Sequence, residues 1–174
     1  MRCLVLGGAR SGKSGHGEQV ISAWATAEQV RYIATAPDRP GDDEWARRVH
    51  AHQLRRPAHW MTVRTEDLVA ELDREPASPT IIDDLGMWLA SVMDRLDAWA
   101  EPERARAAVD GLVDAVARYP APLVLVTPEV GMGIVPETRS GRAFRDEIGV
   151  LNARIAEECE KVVLVVAGIP LPLK

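Results

Sequence analysis

A run of eight residues near the N-terminus, GGARSGKS, combines glycines with a lysine and a serine at a spacing suited to phosphate binding. Glycines let successive backbone N–H groups turn toward an anion, and a helix that begins after Gly12 adds a favourable dipole. In the pattern GxxxxGK[ST], the lysine reaches the β- and γ-phosphates and the final hydroxyl ligates Mg²⁺. A structural turn is the alternative. We predict a nucleotide-binding loop formed by Gly7, Gly8, Ala9, Arg10, Ser11, Gly12, Lys13 and Ser14.

A phosphate loop needs an acidic partner at the end of another strand, and the stretch TIIDDLG supplies two candidates. Asp83 ends an apolar run, at the sheet edge where parallel α/β proteins bind their ligands. It is therefore our candidate, with Ser14, for holding Mg²⁺ or its water. The alternative is that Asp83 or Asp84 only caps the following helix. Two adjacent aspartates allow both uses.

Three of the four histidines lie in the stretch DDEWARRVHAHQLRRPAHW. His50 and His52 form an H-x-H pair, but residues two apart on a helix point to nearly opposite sides, and only His59 remains as a third ligand. A metal site is thus disfavoured. The arginines of this segment could orient a phosphate, and a neutral imidazole among them could attack phosphorus to form a phosphoramidate. Solvated surface histidines are the alternative.

The elements that position these residues alternate between short apolar runs and helical patterns. Such alternation predicts an α/β fold in three layers, with a mainly parallel central sheet that helices cover on both faces. We predict strands over residues 3–6, 31–35, 80–83, 122–127 and 161–168. We predict helices over residues 13–29, 42–54, 65–73, 85–98, 102–118 and 139–160.

Composition narrows the classes of protein that this chain can be. Its 174 residues suit a single domain over 1–174. The net charge of −5 argues against a nucleic-acid partner, and no apolar run is long enough to span a bilayer. Cys3 and Cys159 lack metal spacing and are expected to be reduced thiols. We therefore expect a cytoplasmic protein.

Several motifs occur in one order along nearly the whole chain. They are GGARSGKS, YIATA, the histidine segment, EVGMGIVPE, FRD with Gly149 and Asn152, and the closing VVLVVAGIPLPLK. In this the chain resembles the bifunctional adenosylcobinamide kinase/adenosylcobinamide-phosphate guanylyltransferase family of cobalamin biosynthesis. The resemblance implies a P-loop NTPase-like fold.

The resemblance also implies two reactions and their partners. A nucleoside triphosphate, GTP or ATP, phosphorylates adenosylcobinamide with Mg²⁺ as the expected cofactor. GTP then transfers GMP to adenosylcobinamide phosphate through a covalent guanylyl-histidine, which gives adenosylcobinamide-GDP and pyrophosphate. The family further implies a homo-oligomer, of which a trimer with sites between subunits is one form.

The family's functional residues can be matched to this sequence one by one. Its modified histidine falls on His52, four residues after Arg48 and four before the pair Arg56-Pro57. Lys13 is the second residue to which the resemblance gives a catalytic role. Beyond the phosphate loop, the family's nucleotide contacts fall on Ala34, Thr35, Ala36, Gln53, Leu54, Arg55, Arg56 and Asp83.

Some positions depart from the family pattern and leave rival functions open. Arg64 stands where the family has an acid, and Gly86, Ser91 and Pro128 stand where it has Thr, Asn and Asn. The rivals are a P-loop kinase for another small molecule, or a GTP-binding regulator without catalysis.

The EVGMGIVPE loop follows a strand that ends at the same sheet edge as the phosphate loop, so we expect it on the substrate side or in a subunit contact.

Overall fold

The computed structural model describes residues 1–25, 29–36, 41–42, 47, 50 and 56–174. The strands in this part of the chain are β1 (Arg2–Gly7), β2 (Arg31–Ala34), β3 (Met61–Arg64), β4 (Thr80–Asp83), β5 (Leu123–Pro128), β6 (Lys161–Val166) and β7 (Ile169–Pro172). They form one sheet in the order β3-β2-β4-β5-β1-β6-β7. All neighbours pair in parallel except β7, which runs antiparallel to β6. The predicted parallel α/β sheet is confirmed.

Helices cover both faces of this sheet. The described α-helices are α1 (Lys13–Trp24), α2 (Leu68–Arg74), α3 (Leu85–Arg95), α4 (Arg106–Arg118) and α5 (Arg139–Glu158), and a 3₁₀ turn (Pro102–Ala105) precedes α4. One apolar core lies between the sheet and α2 to α5. A second core lies on the opposite face, where α1 and Trp60 pack on the sheet. The predicted helix over 42–54 lies largely outside the described residues.

Two strands were missed by the sequence analysis, and both lie at sheet edges. β3 has four residues whose burial alternates between partial and exposed, so its apolar signal is weak. β7 carries prolines at positions 170 and 172 and is exposed throughout. Proline lacks the N–H that an inner strand must donate, so it is tolerated in a sheet at an edge such as this one.

The end of the sheet opposite the phosphate loop is held by a buried ion pair. Arg31, at the start of β2, is 1% exposed and donates to the carboxylate of Glu71 in α2. It also donates to the carbonyl oxygens of Glu71 at 2.9 Å and Glu75 at 3.1 Å. Glu71 is 6% exposed and accepts a further bond from Arg74 at 2.6 Å. The network joins β2 to α2.

Removal of the Glu71 carboxylate from this network should strongly destabilise the folded protein. We expect Glu71→Ala to lower the free energy of unfolding by about 3–5 kcal/mol, because it removes the buried carboxylate partner of Arg31 and leaves only the more exposed Glu75 carboxylate, 3.5 Å from Arg31 Nε. Asp73→Ala is the matched control, since Asp73 lies two residues away and pairs with Arg118 while half exposed. That change should cost at most about 1 kcal/mol. Denaturant unfolding measures both, and equal losses would contradict the assignment.

Candidate nucleotide-binding site

The GGARSGKS run connects the end of β1 to the start of α1, at the carboxyl edge of the parallel strands. Gly12 precedes the helix with a φ of 95°, a left-handed conformation that suits glycine. Arg10 also has a positive φ, of 56°. The Ser11 N–H donates to the Gly8 carbonyl at 3.3 Å, and the Lys13 N–H donates to Ser11 Oγ at 3.4 Å. This strand–loop–helix context is the one that the motif requires for phosphate binding.

Two neighbouring segments hold the loop in place. The Glu129 N–H, just after β5, donates to the Gly7 carbonyl at 3.1 Å. The Gly168 N–H, in the turn between β6 and β7, donates to the Ser11 carbonyl at 2.8 Å. A side chain at Gly7 would press against Ser11 Oγ and would lie 2.9 Å from the Val165 carbonyl oxygen. The first glycine of the motif therefore serves close packing of the loop.

Lys13 and Ser14 occupy the first turn of α1. The Lys13 ammonium lies 3.4 Å from the Gly8 carbonyl oxygen, so the side chain folds back over the loop. Gly17, one turn further on, lets the helix approach the sheet, because a Cβ there would lie 2.9 Å from Val126 Cγ2. Both side chains predicted to act on a nucleotide thus begin from a helix that is packed closely on the strands.

The two adjacent aspartates divide their tasks. Asp84 caps α3, since the Met87 N–H donates to its Oδ1 at 2.8 Å. Helix capping was the alternative to a metal role that the sequence left open for these two aspartates. Burial raises the pKa of Asp84 and the nearby charge of Asp83 adds to this, whereas the Met87 amide and the Lys13 ammonium oppose it. The carboxylate of Asp83 accepts a bond from the Tyr32 hydroxyl at 2.5 Å. Its metal role stays a prediction.

The residues predicted at the end of β2 lie beside this pair. Ala34 is in register with Asp83, and the Thr35 N–H donates to the Asp83 carbonyl at 3.3 Å. The Thr35 hydroxyl donates to the Asp84 carbonyl at 2.7 Å and accepts from the Asp84 N–H at 3.0 Å. Ala36 follows, half-buried. The structure thus places this segment beside the aspartates, and its contact with a nucleotide stays a prediction. The hydrogen bonds from Thr35 to the backbone of both aspartates were not anticipated from the sequence.

The histidine segment is described only in part. The predicted nucleophile His52 and the predicted contacts Gln53, Leu54 and Arg55 lie outside the described residues. Arg56 is described, and its guanidinium carbon lies 3.3 Å from the centroid of the Tyr32 ring. That ring also packs at 6.5 Å from the ring of Trp60. Sequence reasoning had assigned Tyr32 no role.

The EVGMGIVPE loop emerges after β5, next to the phosphate loop. Its base is fixed by Asn152 of α5, whose side-chain amide donates to the Pro128 carbonyl at 3.0 Å and whose Oδ1 accepts from the Thr127 hydroxyl at 2.6 Å. Its tip exposes three apolar side chains at 79%, 97% and 57%, those of Met132, Ile134 and Val135. Such a loop beside the site suits a substrate or subunit contact, and that role stays a prediction.

Two departures from the family pattern, Gly86 and Pro128, are in direct contact. A Cβ at Gly86 would lie 2.5 Å from Pro128 Cγ and 2.9 Å from Pro128 Cδ. The proline ring therefore occupies the space that a side chain at position 86 would need. The side chain that fits at position 86 therefore depends on the residue at position 128, and the two departures from the family pattern are linked.

This coupling predicts a strongly non-additive double-mutant cycle. We expect Gly86→Ala alone to lower the free energy of unfolding by about 1–3 kcal/mol through overpacking. In the Pro128→Ala background, which removes both obstructing carbons, the same change should become neutral or stabilising. Gly111→Ala in α4 is the control, since a Cβ there meets nothing closer than Val69 at 3.8 Å. Additive losses in the cycle would contradict the contact.

The described residues form neither a cluster of metal-ligating side chains nor a membrane-spanning helix. Within 1–25, 29–36, 41–42, 47, 50 and 56–174, no three His, Cys, Asp or Glu residues converge as a metal-binding group. Mg²⁺ commonly takes one or two protein oxygens together with phosphates and water, so the hydroxyl of Ser14 and the carboxylate of Asp83 are donors of the right chemistry. No helix in this part of the chain is long and apolar enough to cross a membrane.

A phosphate loop between the first strand and the first helix, at the carboxyl edge of a parallel sheet, defines a P-loop nucleotide-binding protein. The fold agrees with a solved ATPase from the type III secretion system of pathogenic bacteria, with a TM-score of 0.57 at 10% identity. That likeness covers 94% of this chain and 50% of the ATPase chain, and it shows the fold alone.

Sequence comparison identifies the family. The profile described as cobinamide kinase / cobinamide phosphate guanyltransferase matches residues 3–173, and the chain belongs to this family. The bifunctional adenosylcobalamin biosynthesis protein CobU of Salmonella typhimurium is 41% identical over 186 residues, with 100% of both chains covered. CobP of Pseudomonas aeruginosa, of the same description, is 39% identical over 177 residues, covering 100% of this chain and 98% of CobP. CobU of Escherichia coli is 39% identical over 186 residues, again with 100% of both chains covered.

Proposed function

We propose that this chain, as one domain, phosphorylates adenosylcobinamide and then converts the product to adenosylcobinamide-GDP. The observation that carries the proposal is the phosphate loop built at the sheet edge of a chain that matches the family from residue 3 to residue 173. The carboxylates, the arginine and the exposed loop described above gather around the same edge. We infer the substrate class from the family membership, and we infer nucleotide binding from the geometry of the phosphate loop.

The first reaction needs positioning and charge neutralisation more than covalent chemistry. The loop amides and the dipole of α1 hold the β- and γ-phosphates of the donor nucleotide, which is ATP or GTP. Lys13 moves from the Gly8 carbonyl to the transferring phosphoryl group and stabilises its charge. Ser14 and Asp83 would hold Mg²⁺, which when bound offsets the negative charge of the triphosphate. The primary hydroxyl oxygen of the cobinamide side arm attacks the γ-phosphorus and its proton passes to water, while the bond from the γ-phosphorus to the bridging β-phosphate oxygen breaks and releases the nucleoside diphosphate.

The second reaction splits nucleotidyl transfer into two displacements. An unprotonated ring nitrogen of His52 attacks the α-phosphorus of GTP, and the bond to the β-phosphate oxygen breaks to release pyrophosphate. A phosphate oxygen of adenosylcobinamide phosphate then attacks the same phosphorus and displaces the histidine nitrogen. Arg56 lies four residues after His52, and its planar guanidinium suits bidentate contact with the triphosphate.

We also propose a homo-oligomer in the cytoplasm. The exposed apolar tip formed by Met132, Ile134 and Val135 supports a covering partner at the site, either a second subunit or the corrin substrate. The thiols of Cys3 and Cys159 are free and buried, which fits a reducing compartment. Light scattering tests the oligomer, and a monomer at working concentration would contradict it.

The overall function is tested by following product masses. The purified chain is given adenosylcobinamide, MgATP and MgGTP, and we expect adenosylcobinamide phosphate followed by adenosylcobinamide-GDP with one pyrophosphate per turnover. A matched reaction with a GTP analogue whose α–β bridge is a methylene group should stop at the phosphate. Phosphorylation without any GDP product would favour a kinase of other specificity. Tight GTP binding without either product would favour a regulator.

A further inference from the structure

We propose that Tyr32 is a positioning residue that holds two nucleotide-site groups at once, the carboxylate of Asp83 through its hydroxyl and the guanidinium of Arg56 through its ring. The inference rests on the proposed function, because both groups belong to that site. It goes further because it assigns one buried side chain to the alignment of the carboxylate at the end of β4 and of an arginine from the histidine segment.

The hydroxyl contact follows from strand register. Tyr32 lies in β2, is 1% exposed and is in register with Ile81 of β4. Its ring packs with Ile81 on the sheet face that α1 covers, and Asp83, two residues further along β4, projects to that same face. The hydroxyl reaches diagonally along the strands and donates to Asp83 Oδ2 at 2.5 Å. A carboxylate has about four acceptor sites, so this bond orients Asp83 and still leaves acceptors for a metal or its water.

The hydrogen bond between Tyr32 and Asp83 has one direction. The phenol hydroxyl of Tyr32 donates its proton, and the carboxylate oxygens of Asp83 accept. The bond therefore orients the carboxylate.

The ring contact sets the direction of Arg56. The guanidinium carbon lies 3.3 Å from the ring centroid, a stacked cation–π arrangement, and the Trp60 ring lies 6.5 Å from the same centroid. One terminal N–H of Arg56 donates to Thr62 Oγ1 at 3.2 Å. Its Nε is buried and meets no hydrogen-bond acceptor among the described residues. Arg56 thus keeps donor capacity for a phosphate while the aromatic face fixes its plane.

The two contacts can be separated by mutation. Tyr32→Phe removes the hydroxyl but keeps the face on which Arg56 stacks, whereas Tyr32→Leu removes both. Tyr119→Phe is the matched control, because Tyr119 is also a buried tyrosine whose hydroxyl contacts β4. It follows the last residue of α4, and its hydroxyl lies 2.9 Å from Thr80 Oγ1, at the other end of β4 from Asp83. Tyr119→Phe should lower stability while leaving nucleotide binding and adduct formation within about twofold of wild type.

The test measures binding as well as reaction. For the GTP analogue with the α–β methylene bridge, we expect Tyr32→Phe to raise Kd about tenfold with Mg²⁺ present and less than about twofold in EDTA. At saturating Mg²⁺ and GTP, its rate of GMP–protein adduct formation should stay within about twofold of wild type. Tyr32→Leu should show the same Mg²⁺-dependent shift and, in addition, a fall of about tenfold in the adduct rate.

The second arm is a pair of double-mutant cycles. In the Arg56→Ala background, Tyr32→Leu should lower the adduct rate by less than about twofold, because the group it supports is gone. In the Asp83→Asn background, Tyr32→Phe should no longer shift the Mg²⁺-dependent Kd. Full single-mutant effects in these backgrounds, a Kd shift that persists in EDTA, or equal adduct losses in the Phe and Leu variants would each overturn the proposal. If the wild type forms no adduct, the proposed function fails separately, and the binding measurements still decide the role of the hydroxyl.

Discussion

Replacing His52 with alanine is expected to abolish the covalent GMP–protein adduct and to lower guanylyl transfer roughly 10⁴-fold or more. The reason is that, in the proposed mechanism, the imidazole nitrogen of His52 forms the phosphoramidate bond, so the variant lacks the nucleophile. Phosphorylation of adenosylcobinamide should continue within about threefold of wild type, because phosphoryl transfer uses the loop and Lys13 instead. The variant should therefore accumulate adenosylcobinamide phosphate, which mass spectrometry of the reaction mixture measures.

The matched control for this prediction is His50→Ala. His50 is exposed and lies two residues from His52 in the same arginine-rich segment. Its removal should leave the adduct and both reaction rates within about twofold of wild type. An adduct that persists in His52→Ala but disappears in His50→Ala would move the nucleophile to position 50. Loss of phosphorylation together with the adduct would mean that the two reactions do not divide as proposed.

Replacing Lys13 with alanine is expected to impair both reactions. The loop amides and the helix dipole remain, but the ammonium group that folds over the loop is lost. Removal of a single charged donor from a transition state costs about 10²–10³-fold in rate, and we expect this loss in the phosphorylation rate constant. The adduct should form more slowly as well, because the triphosphate loses a counter-charge. Single-turnover kinetics of each step at saturating nucleotide measure the two losses.

Lys161→Ala provides the control for charge and for side-chain size. Lys161 is an exposed lysine at the start of β6, at the end of the sheet away from the phosphate loop, and its ammonium lies 5.5 Å from the centroid of the Trp24 ring. Its removal should change neither rate by more than about twofold. Phosphorylation by Lys13→Ala at a rate close to wild type would contradict the assignment of the loop to the transferred phosphate.

The phosphate loop and the inner strands could be predicted because their signals are local. Glycine spacing in residues 7–14 and the uninterrupted apolar run at the start of β5 each depend on one short stretch of chain. The edge strands β3 and β7 could not be predicted, since edge strands carry weak alternation and tolerate proline. The helix predicted over 102–118 divides into a 3₁₀ turn and α4, a difference in local hydrogen bonding that side-chain periodicity does not report.

The contacts that organise the site were beyond sequence reasoning for another reason. Tyr32 and Asp83 are 51 residues apart in the chain, and only the parallel register of β2 with β4 brings them together. The same is true of Gly86 and Pro128, which looked like two separate departures from the family and are one packed pair. A single sequence carries the identity of such residues but not their proximity.

The most direct test of the guanylyl-histidine is covalent labelling of the wild-type chain with GTP that carries a label at the α-phosphate, in the presence of Mg²⁺. We predict one label per active site that survives denaturation, is lost in acid, is stable in alkali and maps to the peptide that contains His52. Label from the γ-phosphate should not remain on the protein. Folded protein that binds GTP and Mg²⁺ but acquires no α-label would contradict guanylyl transfer through a histidine and would leave GGARSGKS as the phosphate site of a kinase or a regulator.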